Sequence, residues 1–141
     1  MKFWDSSAIV PLVCREATSD RCRQWLTDDP IMLVWALSAV EVVSALARRL
    51  RDGGLEAELF RGAKQKLVVL EEAWNEVVRH ETVAARARRL LETHPLRAAD
   101  SLQLAAALVA VEERTRGVEF VTFDGRLAEA ASKEGFEVLA S

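Results

Sequence analysis

The chain has 141 residues, 50% hydrophobic and 29% charged, with a formal net charge of −3. That length buries a core without disulfide or metal staples, and the composition is globular rather than disordered; the acidic balance excludes a wholly basic nucleic-acid binder, though not a local basic patch. No apolar run approaches the roughly 20 residues of a membrane span, and Lys2-Phe3-Trp4-Asp5 is not the start of a secretory signal, so a cytoplasmic protein with no membrane partner is expected, folded as one domain over residues 1–141.

Residues 2–4 read as a short strand. Asp5-Ser6-Ser7 then offers oxygens able to cap a helix that starts near Ala8 and runs to about Val13. A second helix, capped by Thr18 or Ser19, reaches Leu26, and Thr27-Asp28-Asp29-Pro30 is a turn. Residues 31–35 form a continuous apolar run of strand length, the pattern of a strand covered on both faces. Ser38-Ala39-Val40-Glu41 has the spacing of a capping box, and Val40, Val43, Leu46, Ala47 and Leu50 follow at helical spacing until Gly53-Gly54 stops the helix. The helix from about Leu55 to Glu72, with Leu59, Ala63, Leu67 and Leu70 on one face, completes an αα-hairpin. Residues 74–78 are a weaker strand, interrupted by Asn75 and Glu76. Helices over residues 81–92 and 98–116, a strand over 118–123, a helix from Asp124-Gly125 through Lys133 and a strand over 136–139 finish the chain. Strands separated by helices predict an α/β fold with a mainly parallel sheet.

Four acids recur at comparable places: Asp5 after the first strand, Glu41 in the first helical turn after the second, Asp100 in the first turn of the alanine-rich helix, and Asp124 after the fourth. Each alone is explained by capping or by the helix dipole. Together they point elsewhere, because three of them follow strands of one parallel sheet, whose carboxyl ends share one rim, where ligands bind. Carboxylates gathered there repel one another unless a cation neutralises them, and oxygen ligands without histidine or cysteine suit Mg²⁺ or Mn²⁺.

Asp5-Ser6-Ser7, Glu41 within residues 38–46, Arg97-Ala98-Ala99-Asp100-Ser101-Leu102-Gln103 and Thr122-Phe123-Asp124-Gly125 together resemble the PIN-domain family, in particular the VapC-type toxins of toxin–antitoxin modules. The resemblance covers nearly the whole chain. It implies a three-layer α/β/α sandwich with a sheet of four to five strands, and a Mg²⁺- or Mn²⁺-dependent endoribonuclease with Asp5, Glu41, Asp100 and Asp124 as its acidic quartet, holding metal and doing catalysis. Ser7 and Thr122 match supporting hydroxyl positions. An RNA substrate, a VapB-like antitoxin and a homodimer are implied as partners. Water as nucleophile leaves a 5′-phosphate and a 3′-hydroxyl.

Two other classes remain open: a non-catalytic binding module on the same fold, and a phosphoacceptor signalling domain, which the lack of paired early acids and of a late lysine disfavours. A PIN nuclease of RNA processing, without a toxin role, is a variant of the first reading.

Among the basic residues, Arg97, one turn before Asp100, and Arg48, in Arg48-Arg49-Leu50-Arg51, are the RNA-binding candidates, whereas Arg86 to Arg89 read as a solvated helix face. Trp4, Trp25, Trp35 and Trp74 are expected in the core. His80 and His94 are read as surface or helix-end residues, and Cys14 and Cys22 as free thiols.

Overall fold

The computed structural model describes residues 1–140. The elements run β1 (Lys2–Trp4), α1 (Ser6–Val13), α2 (Ser19–Asp28), β2 (Met32–Trp35), α3 (Ser38–Arg51), α4 (Ala57–Ala73), β3 (Asn75–Val77), α5 (His80–Thr93), α6 (Ala98–Ala110), β4 (Glu119–Val121), α7 (Gly125–Lys133) and β5 (Glu137–Leu139). The five strands form one parallel sheet in the order β3-β2-β1-β4-β5.

Alternation along the strands divides the core into two clusters, one on each sheet face. Phe3, Trp35 and Phe120 face Val83, Leu90, Leu104, Leu108 and Leu127, so α5, α6 and α7 cover that side. Trp4, Val34 and Val121 face Ile9, Cys22, Val42, Leu46 and Leu67, so α1 to α4 cover the other. The result is the three-layer α/β/α sandwich, with β1 as its central strand.

Several local readings shift. The first helix starts at Ser6, two residues early, because Asp5 itself is the N-cap and accepts the Ser7 N–H. The Ser38/Glu41 capping box does not form: Leu37 holds the N-cap position, and both side chains are turned to other partners. The buried stripe of α3 is Val42 and Leu46, so Val40 is 67% exposed; on α4, Ala63 and Leu67 are buried while Leu59 is exposed. The alanine-rich helix stops at Ala110 rather than Arg116. Glu112 and Glu113 adopt left-handed conformations there (φ 52° and 62°), and the Glu113 N–H closes back on the Leu108 carbonyl. Carboxylates are disfavoured at the negative end of a helix, so extending the helix through them gains little.

Trp4, Trp35 and Trp74 are core residues, while Trp25 is half-buried and stacked on Phe123, ring centroids 6.1 Å apart. Both cysteines are free. His80 is exposed; His94 caps α5, but its ring is largely buried against Glu134. No helix among the described residues is long and apolar enough to cross a membrane.

Candidate active site

Four chain segments deliver one acid each to the same end of the sheet. Asp5 leaves β1 and caps α1; Glu41 lies in the first turn of α3, just beyond β2; Asp100 lies in the first turn of α6; Asp124 follows β4 and caps α7 through the Leu127 N–H at 2.8 Å. All four line one cavity of about 230 Å³, with Ser6, Ser7, Val10 and Ala45. The sheet continues past the strand ends to hold them, through Asp5 N–H to Val121 O at 3.0 Å and Thr122 N–H to Leu139 O at 3.1 Å.

Asp5 is the most enclosed of the acids, 4% exposed. Its Oδ2 accepts from Ser7 Oγ at 2.5 Å and from Thr122 Oγ1 at 2.9 Å. Ser7 Oγ in turn accepts the Phe123 N–H at 2.9 Å, and Thr122 Oγ1 accepts the Asp124 N–H at 3.1 Å. Each hydroxyl has one proton, and here both protons point at Asp5 while backbone N–H groups fill the lone pairs behind. Two hydroxyls therefore weld the β1 end to the β4–α7 turn and present the Asp5 carboxylate in one orientation.

Glu41 is held by residues to which the sequence reading gave no part in the site. Ser6 Oγ donates to its Oε2 at 2.8 Å, and Gln103 Nε2 donates to its Oε1 at 3.2 Å while also donating to Ser38 Oγ at 2.9 Å. Gln103 is fully buried. The available signal was its spacing, three residues after Asp100 and so on the same face of α6. Ser6 carried none beyond adjacency to Asp5.

Burial raises the Asp5 carboxyl above its usual range, partly opposed by the Ser7 and Thr122 hydroxyls and the N–H groups of residues 6 and 7. Glu41 is raised first by burial and then by the charges of Asp5 and Asp100, with Ser6 and Gln103 opposing. Asp100 is raised by burial and by the charges of Asp124 and Asp5, with Arg97 opposing. The charge in this cavity is therefore mutually repulsive and calls for a cation.

The donor set fits a hard divalent ion: every polar side chain of the cavity is a carboxylate or hydroxyl. Among the described residues, no three acidic, histidine or cysteine side chains stand close enough to hold a metal unaided. Of the other expected residues, Thr122 is buried behind Asp5, Arg97 is exposed at the start of α6, and Arg48 lies outside this cavity along α3.

The family model described as PIN domain matches residues 2–133. The chain belongs to the PIN-domain family. This PIN domain shares its fold with solved structures of low sequence identity. One is from a toxin–antitoxin complex of Klebsiella pneumoniae, at 15% identity and TM-score 0.69, covering 99% of this chain and 97% of that one. Another is FitAcB of Neisseria gonorrhoeae, at 16% identity and TM-score 0.66, covering 99% and 96%. A third is VapC20 of Mycobacterium tuberculosis, described as a toxin that cleaves the sarcin–ricin loop, at 20% identity and TM-score 0.66, covering 98% of each chain. No curated protein matches the chain by sequence.

Proposed function

We propose that this PIN domain is a Mg²⁺- or Mn²⁺-dependent endoribonuclease and the toxin of a VapBC-type toxin–antitoxin pair, binding a VapB-like antitoxin and assembling as a homodimer. The observation that carries the nuclease reading is the convergence of Asp5, Glu41, Asp100 and Asp124 on one cavity, where burial holds Asp5, Glu41 and Asp100 above their usual pKa and neighbouring carboxylates raise Glu41 and Asp100 further. A fold without chemistry to perform has no need of that repulsion. The toxin and antitoxin assignments draw on the fold shared with the Klebsiella and Neisseria structures, and the RNA substrate on the fold shared with VapC20.

Asp5 and Asp100 are the residues that would hold the ion, with Asp124 beside them. Mg²⁺ commonly takes one or two carboxylates and keeps waters, so two fixed acids and an open cavity suffice. Bound there, a divalent ion supplies Lewis-acid stabilisation of phosphate charge and lowers the pKa of water. Ser7 and Thr122 keep the Asp5 carboxylate in one rotamer. Glu41, tethered from α1 and α6 and raised in pKa, is the group placed to take a proton from the attacking water. The products are then a 5′-phosphate and a 3′-hydroxyl.

The test is cleavage of structured RNA by the purified chain, freed of any co-purifying small protein, with Mn²⁺, with Mg²⁺ and with chelator, beside Asp100→Asn. Cleavage that requires both metal and Asp100 is the expected result. Cleavage that persists in chelator or in Asp100→Asn would overturn the assignment.

A further inference from the structure

We propose that the outer face of α3 carries the RNA strand on one side of the cleavage site, with Arg48 gripping a phosphate that flanks the scissile one and Val40 supporting the intervening nucleoside. This rests on the nuclease reading above and adds a direction to it.

A second cavity, about 370 Å³, adjoins the acidic one and shares Ser6, Glu41 and Ala45 with it. Its remaining wall is Val40, Ser44 and Arg48. These three recur every four residues, so they stack along one helix face, and Arg48 lies about 10 Å beyond Glu41 at the rise of an α-helix. The opening therefore leads from the acids to a cation. Its volume falls within the roughly 300–1,000 Å³ typical of small-ligand sites.

The state of each side chain fits a strand of nucleic acid. Arg15, Arg49 and Arg86 are engaged by Asp20, Glu16 and Glu113, whereas among the described residues Arg48 has no carboxylate partner. An unengaged guanidinium beside a cluster of carboxylates is matched to phosphate, the anion that the acids themselves repel unless a cation lies between. Val40 is 67% exposed and lies next to Glu41, an apolar ledge of the kind a base or ribose covers. Ser44, exposed between them, offers a hydroxyl to phosphate or to a 2′-OH. A second copy of the chain is a poorer occupant: Val40 is the only large exposed apolar residue described on α3 itself, with Leu37 just before it, whereas the core of a protein interface is apolar.

Three variants, beside Asp100→Asn, decide the matter, assayed in one series for RNA cleavage with Mn²⁺ at several salt concentrations and for mass by light scattering. Arg48→Ala should raise KM about five- to tenfold, with a smaller change in kcat, and reduce the slope of log KM against log salt by about 0.7, the value for one phosphate contact on a single strand. Ser44→Arg adds a cation to the same exposed face and should lower KM and steepen that slope. Arg88→Ala removes an exposed arginine of α5 that lines neither cavity and should leave both unchanged. Metal-dependent cleavage by the wild type, with KM and salt slope the same in Arg48→Ala, overturns this subsite and leaves the nuclease reading standing. A change of oligomeric mass with unaltered KM assigns the face to a second copy and overturns it equally. Wild-type cleavage that Asp100→Asn does not abolish removes the nuclease reading itself, and the subsite with it.

Discussion

Replacing Ser7 by alanine removes one oxygen and breaks two short bonds that share it, together with a longer contact to Thr122 Oγ1 at 3.3 Å. Asp5 Oδ2 loses its 2.5 Å donor, a charge-assisted bond of about 1.5–3 kcal/mol, and the Phe123 N–H loses its acceptor, an orphaned donor costing about 1–3 kcal/mol. Ser7 borders the open cavity, so water reaches part of the vacated space and both costs fall toward their lower ends. Alanine's better helix propensity returns a few tenths of a kcal/mol. The expected loss is about 2–3 kcal/mol, a Tm lower by about 5–10 °C at this chain length. Urea unfolding in metal-free buffer near neutral pH measures it. In an Asp5→Asn background the hydroxyl no longer faces a charge, and the same substitution should cost about 1 kcal/mol less. A Ser7→Ala loss below about 0.5 kcal/mol, or an equal loss in both backgrounds, would refute the view that this hydroxyl fixes Asp5.

The raised acids give metal-free protein a distinctive pH response. Asp5, Glu41 and Asp100 each bind their protons more tightly folded than unfolded, so their contribution to stability is greatest below the ordinary carboxylate range and is lost as pH rises through the elevated native values. Thermal melts in chelator should therefore fall from mildly acidic to alkaline pH more steeply for the wild type than for Asp100→Asn, with Mn²⁺ recovering the wild type at the alkaline end; equal slopes for the two proteins would contradict this. Gln103→Leu should lower kcat in the Mn²⁺ cleavage assay about 10- to 100-fold with little change in Mn²⁺ affinity, because Glu41 loses its tether from α6 and its fixed position as proton acceptor. An unchanged kcat would make Gln103 a packing residue only. Gly135 has φ +96°, and a Cβ there would meet Thr115 Oγ1 at 2.5 Å, so Gly135→Ala should destabilise by about 1–3 kcal/mol in the same urea assay. A neutral result would mean that the β5 entry turn relaxes freely.

The order of elements, the parallel sheet and the four acids could be read from the chain because each leaves a local mark. Residues 31–35 announce a doubly covered strand by their apolar run, Gly53-Gly54 a helix end, and Asp5 and Asp124 a strand-to-helix step by their capping chemistry. Convergence of those acids also followed, since a parallel sheet sends its strand ends to one rim.

Wherever a side chain had two good local partners, only the tertiary structure decided. Ser38 and Glu41 have the spacing to cap their own helix, yet Gln103, 62 residues further along the chain from Glu41, and Ser6 take those oxygens instead, because α1 packs against α3 and the buried Gln103 side chain of α6 reaches the start of α3, bringing donors that need acceptors. The same packing rotates α3 so that Val42 and Leu46 go inward, leaving Val40 on the surface beside the acids. A helical stripe fixes which residues lie together but not which of two adjoining stripes faces the core, and that choice rests on the neighbours the fold supplies. The acids of this protein were thus written locally, while the tethers that hold them, and the face of α3 turned outward beside them, depend on contacts between segments far apart in the chain.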